Sequence, residues 1–337
     1  METLTSSGWP SSVWRNLNRS VGGRVGLSRA SGRSEEKVRA SVSARDVSRR
    51  NLLRGAGVAV LIGGGALACS RVATEPSGKK GTDLLASLRR KGTARIGVVN
   101  ELPYSDSQPD GTVRGVEPEI AQAVLAKLGI KKVEPVVATH AGMIPGLQAN
   151  QMDLICAALF VKKSRCDSIL FSEPDAVAED FFVVRKGNPK KLENLADVKS
   201  TGAAFAVISG TLEADVSKEQ GITAANTTQV HDWLSGIELV QSGRADAYLG
   251  PGPTLQYLMR RPKAARGVDL AGPVPEIGKS AAAVGFRKRD KTFHEAYNEK
   301  LAELRDEGTF AEIQEKWGFD ADAAADVTTE EMCKRGG

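Results

Sequence analysis

Ala94-Arg95-Ile96-Gly97-Val98-Val99, then Glu117-Pro118-Glu119-Ile120-Ala121-Gln122-Ala123-Val124-Leu125-Ala126-Lys127-Leu128, then Lys132-Val133-Glu134-Pro135-Val136-Val137 decide the fold. The first segment reads as a buried strand. The second carries Ile120, Ala121, Val124, Leu125 and Leu128 at the spacing of an amphipathic helix, and the third is a second strand. Met143–Gln148 continues as a short helix and Asp153–Leu159 as a third strand. A βαβαβ run of this kind predicts a parallel sheet with helices on its faces.

Outward from this block, Glu179–Arg185 and Ala282–Arg287 read as strands that cross between two lobes. A second βα set lies between them: Ala204–Ile208, a helix opening at Gly210-Thr211, Val230 leading into Asp232–Gln241, Asp246–Leu249, and a helix from Pro253 to Met259. Thr292–Glu307 and Phe310–Trp317 form two amphipathic helices that return to the first lobe. The expected fold class is α/β, a two-lobed clamp with two hinge strands, each lobe a sheet flanked by helices. The expected boundaries are a leader at 1–69, a linker at 70–81, lobe 1 at 82–183, lobe 2 at 184–281, the lobe 1 return at 282–320 and a tail at 321–337, with the acidic stretch Asp320–Glu331 expected as solvated surface.

The overall charge of +5 misleads. Residues 1–69 hold eleven Lys or Arg and four acids, a net of +7, so the remainder carries −2. The basic character belongs to the leader, and a nucleic-acid partner has no support. Ser48-Arg49-Arg50-Asn51-Leu52-Leu53-Arg54 is a twin-arginine export motif, followed by an apolar run from Ala56 to Ala68 that is too short and Gly-rich for a membrane span. Ala66 and Ala68 before Cys69 form a lipobox, with Leu67 two residues before the Cys where the usual pattern has Leu three before. Lipidation at Cys69 is the expectation, and an ordinary cleavage site beside an incidental Cys is the alternative. Cys156, Cys166 and Cys333 remain. Cys156 reads as a buried small hydrophobe. A disulfide between two of the three is open, and the sequence does not select the pair. With three His and no His/Cys cluster, no metal site or other cofactor is expected.

Chemistry concentrates at the ends of the first strands: Glu101 and Tyr104, His140, Phe160 and Arg165. Strand ends in an α/β lobe are where small ligands bind. Aromatic rings beside one carboxylate and one guanidinium suit a small zwitterion, its cation on the rings and its carboxylate on Arg. Each residue also has a plainer reading. Tyr104 and Phe160 fit an ordinary core, Glu101 a turn cap, His140 a helix entry, and Arg165 a helix surface.

With these residues in view, the chain resembles the type II periplasmic substrate-binding proteins of ABC importers, in the polar amino-acid branch, over roughly residues 82–320. Gly115-Val116-Glu117-Pro118-Glu119-Ile120-Ala121, Asn150-Gln151-Met152-Asp153-Leu154 and Arg165 through Pro174 carry that resemblance. Within the branch it is most similar to the ectoine/hydroxyectoine-binding proteins, on Glu101-Leu102-Pro103-Tyr104, Ile144-Pro145-Gly146-Leu147, Phe160-Val161-Lys162-Lys163-Ser164-Arg165-Cys166 and Gly187-Asn188-Pro189-Lys190.

The resemblance implies an aromatic cage from Tyr104 and Phe160, with His140 at the third wall where the family usually has an aromatic. A neutral imidazole stacks on a cationic ring, whereas a protonated one repels it. Glu101 would accept from the ligand's ring nitrogens and Arg165 would hold its carboxylate. From the second lobe, Gly210 and Thr211 would present a helix N-terminus to an anionic group, and Asp246 would face the cleft or its hinge. Thr211 as a simple N-cap and Asp246 as a sheet-edge residue are the plainer readings.

The implied function is a non-enzymatic, exported, lipid-anchored monomer that delivers ectoine or 5-hydroxyectoine to the importer's membrane subunits. A polar amino-acid receptor is the nearer rival. An enzyme of the cyclohexadienyl dehydratase or lytic transglycosylase kind is the remote one, since no second carboxylate is legible beside Glu101.

Overall fold

The computed structural model describes residues 83–334. The twin-arginine motif, Cys69, the 70–81 linker and residues 335–337 lie outside the described residues. In chain order the elements are α1 Leu84–Lys91, β1 Thr93–Val98, β2 Asp106–Ser107, β3 Val113–Arg114, α2 Val116–Lys127, β4 Lys132–Val137, α3 His140–Gln148, β5 Leu154–Ile155, α4 Lys163–Cys166, β6 Ile169–Phe171 and β7 Ala176–Arg185. Then come α5 Leu195–Ser200, β8 Phe205–Ile208, α6 Leu212–Glu219, β9 Thr227–Val230, α7 Trp233–Gln241, β10 Ala247–Pro251, α8 Gly252–Met259, β11 Val268–Ala271, β12 Lys279–Ala282 and β13 Gly285–Arg287. Helices α9 Lys291–Asp306, α10 Thr309–Trp317, α11 Ala321–Ala325 and α12 Thr329–Lys334 close the chain.

The first sheet has the order β4-β1-β5-β13-β6. β1 runs parallel to both β4 and β5, as the opening βαβαβ pattern requires, and β13 enters antiparallel between β5 and β6. Its core is one cluster around Ile96, Ile120, Leu125, Leu154 and Phe286, each fully buried. The second sheet has the order β11-β7-β10-β8-β9. Alternation along its strands feeds two separate cores. Val183, Ala206 and Tyr248 pack on one face, while Phe182, Val184, Phe205, Val207 and Leu249 pack on the other. These strands read as continuous apolar runs because both faces are covered.

The link between the sheets differs from the expected crossings. β7 pairs β12 through Ala176–Glu179 and then pairs β10 and β11 through Asp180–Arg185. The paired crossing therefore falls on Ala176–Glu179 and Lys279–Ala282, a few residues before each expected span. Gly285–Arg287 is a separate strand of the first sheet. The third expected strand is also shorter. Only Leu154–Ile155 pairs, and Ala158 adopts a left-handed φ of 49° that turns the chain out of the sheet toward Phe160. A non-glycine residue in that region stores about 1–3 kcal/mol, a cost typical of ligand sites.

The stretch Asp320–Glu331 is not merely solvated, since Ala324 of α11 is fully buried in the first sheet's core. Met332 of α12 is 5% exposed within the first sheet's core, and Cys333 is disulfide-bonded to Cys166. Cys156 is free and buried.

Candidate functional site

The C-terminal ends of β1, β4 and β5 in the first sheet and of β8, β9 and β10 in the second point into one cleft. Each parallel strand ends there and releases a loop or a helix N-terminus, which places side chains without breaking the sheets. Glu101, His140, Phe160, Arg165 and Thr211 line one small space with a cavity volume of about 10 Å³, together with Glu213, Trp233 and Pro251. A neighbouring cavity of about 180 Å³ shares Glu101 and Trp233 and extends past Asp106, Arg114 and Tyr257.

Glu101 follows β1 and is 1% exposed. Thr254 Oγ1 of α8 donates to its Oε1 at 2.8 Å, and its Oε2 stands 3.1 Å from His140 Nε2. Burial pushes the Glu101 carboxyl above its ordinary range, and His140 and then Thr254 draw it part of the way back. His140 opens α3 and meets the Trp233 indole edge to face, with ring centroids 6.2 Å apart. Asp232 fixes the indole in place. Its Oδ1 accepts from Ser235 N at 2.9 Å and so caps α7, whose first residue is Trp233. Gly250 leaves room for the ring, because a Cβ there would lie 2.5 Å from the indole.

Arg165 spans the cleft. Its Nη1 donates to Phe160 O at 2.6 Å and its Nη2 to Gly210 O at 2.9 Å, so one guanidinium touches loops from both sheets. Burial lowers its pKa to about 10, with Glu213 opposing, and it stays charged at neutral pH. Gly210 has a left-handed φ of 79°, and a Cβ there would fall 2.8 Å from the Ala141 backbone in α3. Only glycine lets the two loops approach this closely. Lys162 and Asp215 form an ion pair across the same seam.

Two expected residues stand elsewhere. Tyr104 is fully buried behind the cleft, edge-on to Phe160 at 6.0 Å and to Phe319 at 5.0 Å, so it buttresses the ring rather than lining the space. Asp246 precedes β10 and lies at the end of that strand remote from the cleft. It pairs with Arg185 at 3.1 Å and Lys190 at 2.6 Å and accepts from Ala204 N. Pro251 occupies the cleft end of the same strand. Thr211 serves as the N-cap of α6, accepting from Ala214 N at 3.3 Å and donating to Ile208 O at 2.9 Å.

The sequence reading missed Trp233, Glu213 and Thr254. A tryptophan directly after an Asp N-cap at a strand-to-helix junction was a usable signal for the first. Glu213 is 1% exposed, and apart from the neighbouring Asp180 carboxyl no group among the described residues donates to its oxygens. Asp180 of β7 lies beside it. Burial first, and then the charge of Glu213, hold the Asp180 carboxyl well above the usual range. A second carboxylate therefore does stand near Glu101, which the sequence did not reveal. The cleft offers buried acid on one side, flat rings between, and one guanidinium opposite.

The model of the bacterial extracellular solute-binding proteins, family 3, matches residues 94–321. The chain belongs to that family. The solute-binding protein is 31% identical over 264 residues to a protein of Sinorhizobium fredii (strain NBRC 101917 / NGR234) named "Probable amino-acid ABC transporter periplasmic-binding protein y4tE", with 75% of this chain and 87% of that one covered. Among solved structures it is similar to EhuB in complex with hydroxyectoine, at a TM-score of 0.71 and 33% identity, covering 74% of this chain and 98% of that one. It is also similar to the ancestral amino acid-binding protein AncCDT-1, a precursor of cyclohexadienyl dehydratase, at a TM-score of 0.61 and 26% identity, covering 70% and 100%. These structures share the type II periplasmic-binding-protein fold. No helix of the solute-binding protein is long and apolar enough to cross a membrane, among the described residues.

Proposed function

We propose that the protein captures ectoine or 5-hydroxyectoine in this cleft and delivers it, without chemical conversion, to the membrane subunits of an ABC importer. The observation that carries the reading is the lining of the cleft: buried Glu101, Arg165, and Phe160, His140 and Trp233 around one space. An α-ammonium is compact and strongly hydrated. An amidinium ring is flat and weakly hydrated, so aromatic faces hold it, each contact contributing about 0.5–2 kcal/mol when desolvated. Arg165 takes the carboxylate as a two-pronged donor, and Glu101 takes the ring nitrogens. The likeness to EhuB with hydroxyectoine supports the same ligand class.

In this reading residues 83–175 and 283–334 form one lobe, residues 180–278 form the other, and β7 with β12 is the hinge between them. Export by the twin-arginine route and a lipid anchor at Cys69 complete the proposal, with the protein acting as a monomer at the membrane surface.

Glu213 favours a second reading. A buried carboxylate whose neighbour is the Asp180 carboxyl suits the α-ammonium of a polar amino acid, and the Sinorhizobium relative is named for amino-acid transport. Calorimetric titration of the purified protein with ectoine, 5-hydroxyectoine, glycine betaine and a panel of polar amino acids separates the two. Micromolar or tighter ectoine binding with silent amino acids is the expected outcome. Tight amino-acid binding with silent ectoine transfers the site to the second reading.

A further inference from the structure

Arg165 sits on a weak support. Its helical turn, Lys163–Cys166, spans four residues and has no side-chain cap at Lys162. A turn this short does not hold itself, because nucleation fixes more dihedrals than its few backbone hydrogen bonds return, and its Lys163–Asp167 ion pair is exposed and contributes little. The guanidinium's two contacts do not hold it either. Gly210 lies on the opposite lobe, and its contact is lost whenever the lobes separate, which leaves only Phe160 O.

Support comes from the far end of the chain. Cys166, the residue after Arg165, is bonded to Cys333 across 167 residues of sequence. The helix Thr329–Lys334 that carries Cys333 is itself moored, with Met332 buried in the first lobe's core. Thr329 Oγ1 donates to Ser172 O at 2.5 Å, and Thr329 N donates to Glu173 Oε2 at 3.2 Å. Lys288 Nζ donates to Cys166 O at 2.5 Å. The segment from Arg165 to Glu173 is thus pinned at both ends by one strap, covalently at the end that carries the guanidinium.

We propose that the C-terminal strap and its Cys166–Cys333 disulfide position Arg165 for the ligand carboxylate, so that full affinity is reached only in the oxidised protein. Cys166, Met332 and Cys333 act through Arg165 and do not touch the ligand. The disulfide forms and persists in oxidising compartments, which restricts tight binding to the exported protein. The inference rests on the reading that Arg165 holds a carboxylate.

The test is a coupling measurement on the full chain, with ectoine and L-arginine as probes because both carry a carboxylate. Affinity is measured by calorimetry for the wild type, Cys333→Ser, Arg165→Ala and the double variant, and for the wild type after mild reduction and thiol alkylation. Expected is a roughly tenfold loss on Cys333→Ser, the same loss on reduction, and no further loss when Cys333→Ser is added to Arg165→Ala. A lowered melting temperature with unchanged affinity would make the disulfide purely structural and overturn the inference. So would a Cys333→Ser penalty that persists in full without Arg165. If Arg165→Ala alone leaves affinity intact, or neither probe binds the wild type, the carboxylate reading itself fails. Should Cys333→Ser not fold, the reduced and alkylated wild type gives the same comparison.

Discussion

Glu101 carries the pH dependence of the site. Its carboxylate is the form that accepts a cation, and burial raises its pKa, so ionisation requires a higher pH than at a surface carboxylate. Affinity for a cationic ring should be full where Glu101 is ionised and should fall as pH drops through the raised pKa. Titrations across pH 4.5–8 check this, and Glu101→Gln should bind weakly and lose the part of the pH dependence that Glu101 supplies. Phe160→Ala should weaken binding by roughly 2–30-fold, the value of one desolvated ring contact; an unchanged affinity would remove the cage. Glu101, Phe160 and Arg165 were legible in the sequence because each follows an apolar strand, and strand ends in a parallel sheet face one side. Asp246 was misplaced for the converse reason. An acid next to a strand looks alike at either end, and only the direction of β10 in its sheet assigns it to the far edge. Trp233, Glu213 and Thr254 come from the opposite lobe, and local pattern does not encode which of its loops meets Glu101.

At the scale of elements, β7 is the strand to test. It begins directly after Asp175, which is fully buried and whose charge raises the pKa of buried Glu117 of α2. Burial lifts Asp175 to about 8, against 3.8 in a free chain. The folded protein therefore keeps a proton that the unfolded chain gives up. This group's contribution to stability is fully present below about pH 3.8, declines as pH rises, and levels off above about 8. The slope is at most about 1.4 kcal/mol per pH unit. Asp175→Asn keeps the shape and removes the charge. It should raise the melting temperature at pH 8 and flatten the stability profile between pH 5 and 8, read by chemical denaturation. A profile as steep as the wild type's would mean that Asp175 is not the group. Element positions were otherwise the best-read layer, since Ile120, Val124 and Leu125 on α2 and the apolar run Thr93–Val98 repeat the periods of helix and buried strand. The stretch Asp320–Glu331 was misread because Ala324 is a small apolar residue among acids, and its burial depends on packing against elements distant in sequence.

For the whole molecule, closure is the property on which binding depends, and Gly210 is where closure can be blocked without touching either core. Gly210→Ala adds one methyl group 2.8 Å from the Ala141 backbone and forces a left-handed residue to carry a Cβ. Both lobes should still fold, with a melting temperature within a few degrees of the wild type, while affinity falls on the order of tenfold or more. Small-angle scattering with saturating ligand should report a more open shape than the wild type shows; equal compaction with equal affinity would mean that the loops yield. The interposition of β13 between β5 and β6 has a consequence for how the chain is made. Every strand of the second sheet, from Ala176 to Ala282, leaves the ribosome before Gly285–Arg287 does. The inserted lobe can therefore complete itself while the lobe that surrounds it still has a gap in its sheet. Biosynthesis finishes the clamp from the inside outward, and the outer jaw waits for nearly the last strand to emerge.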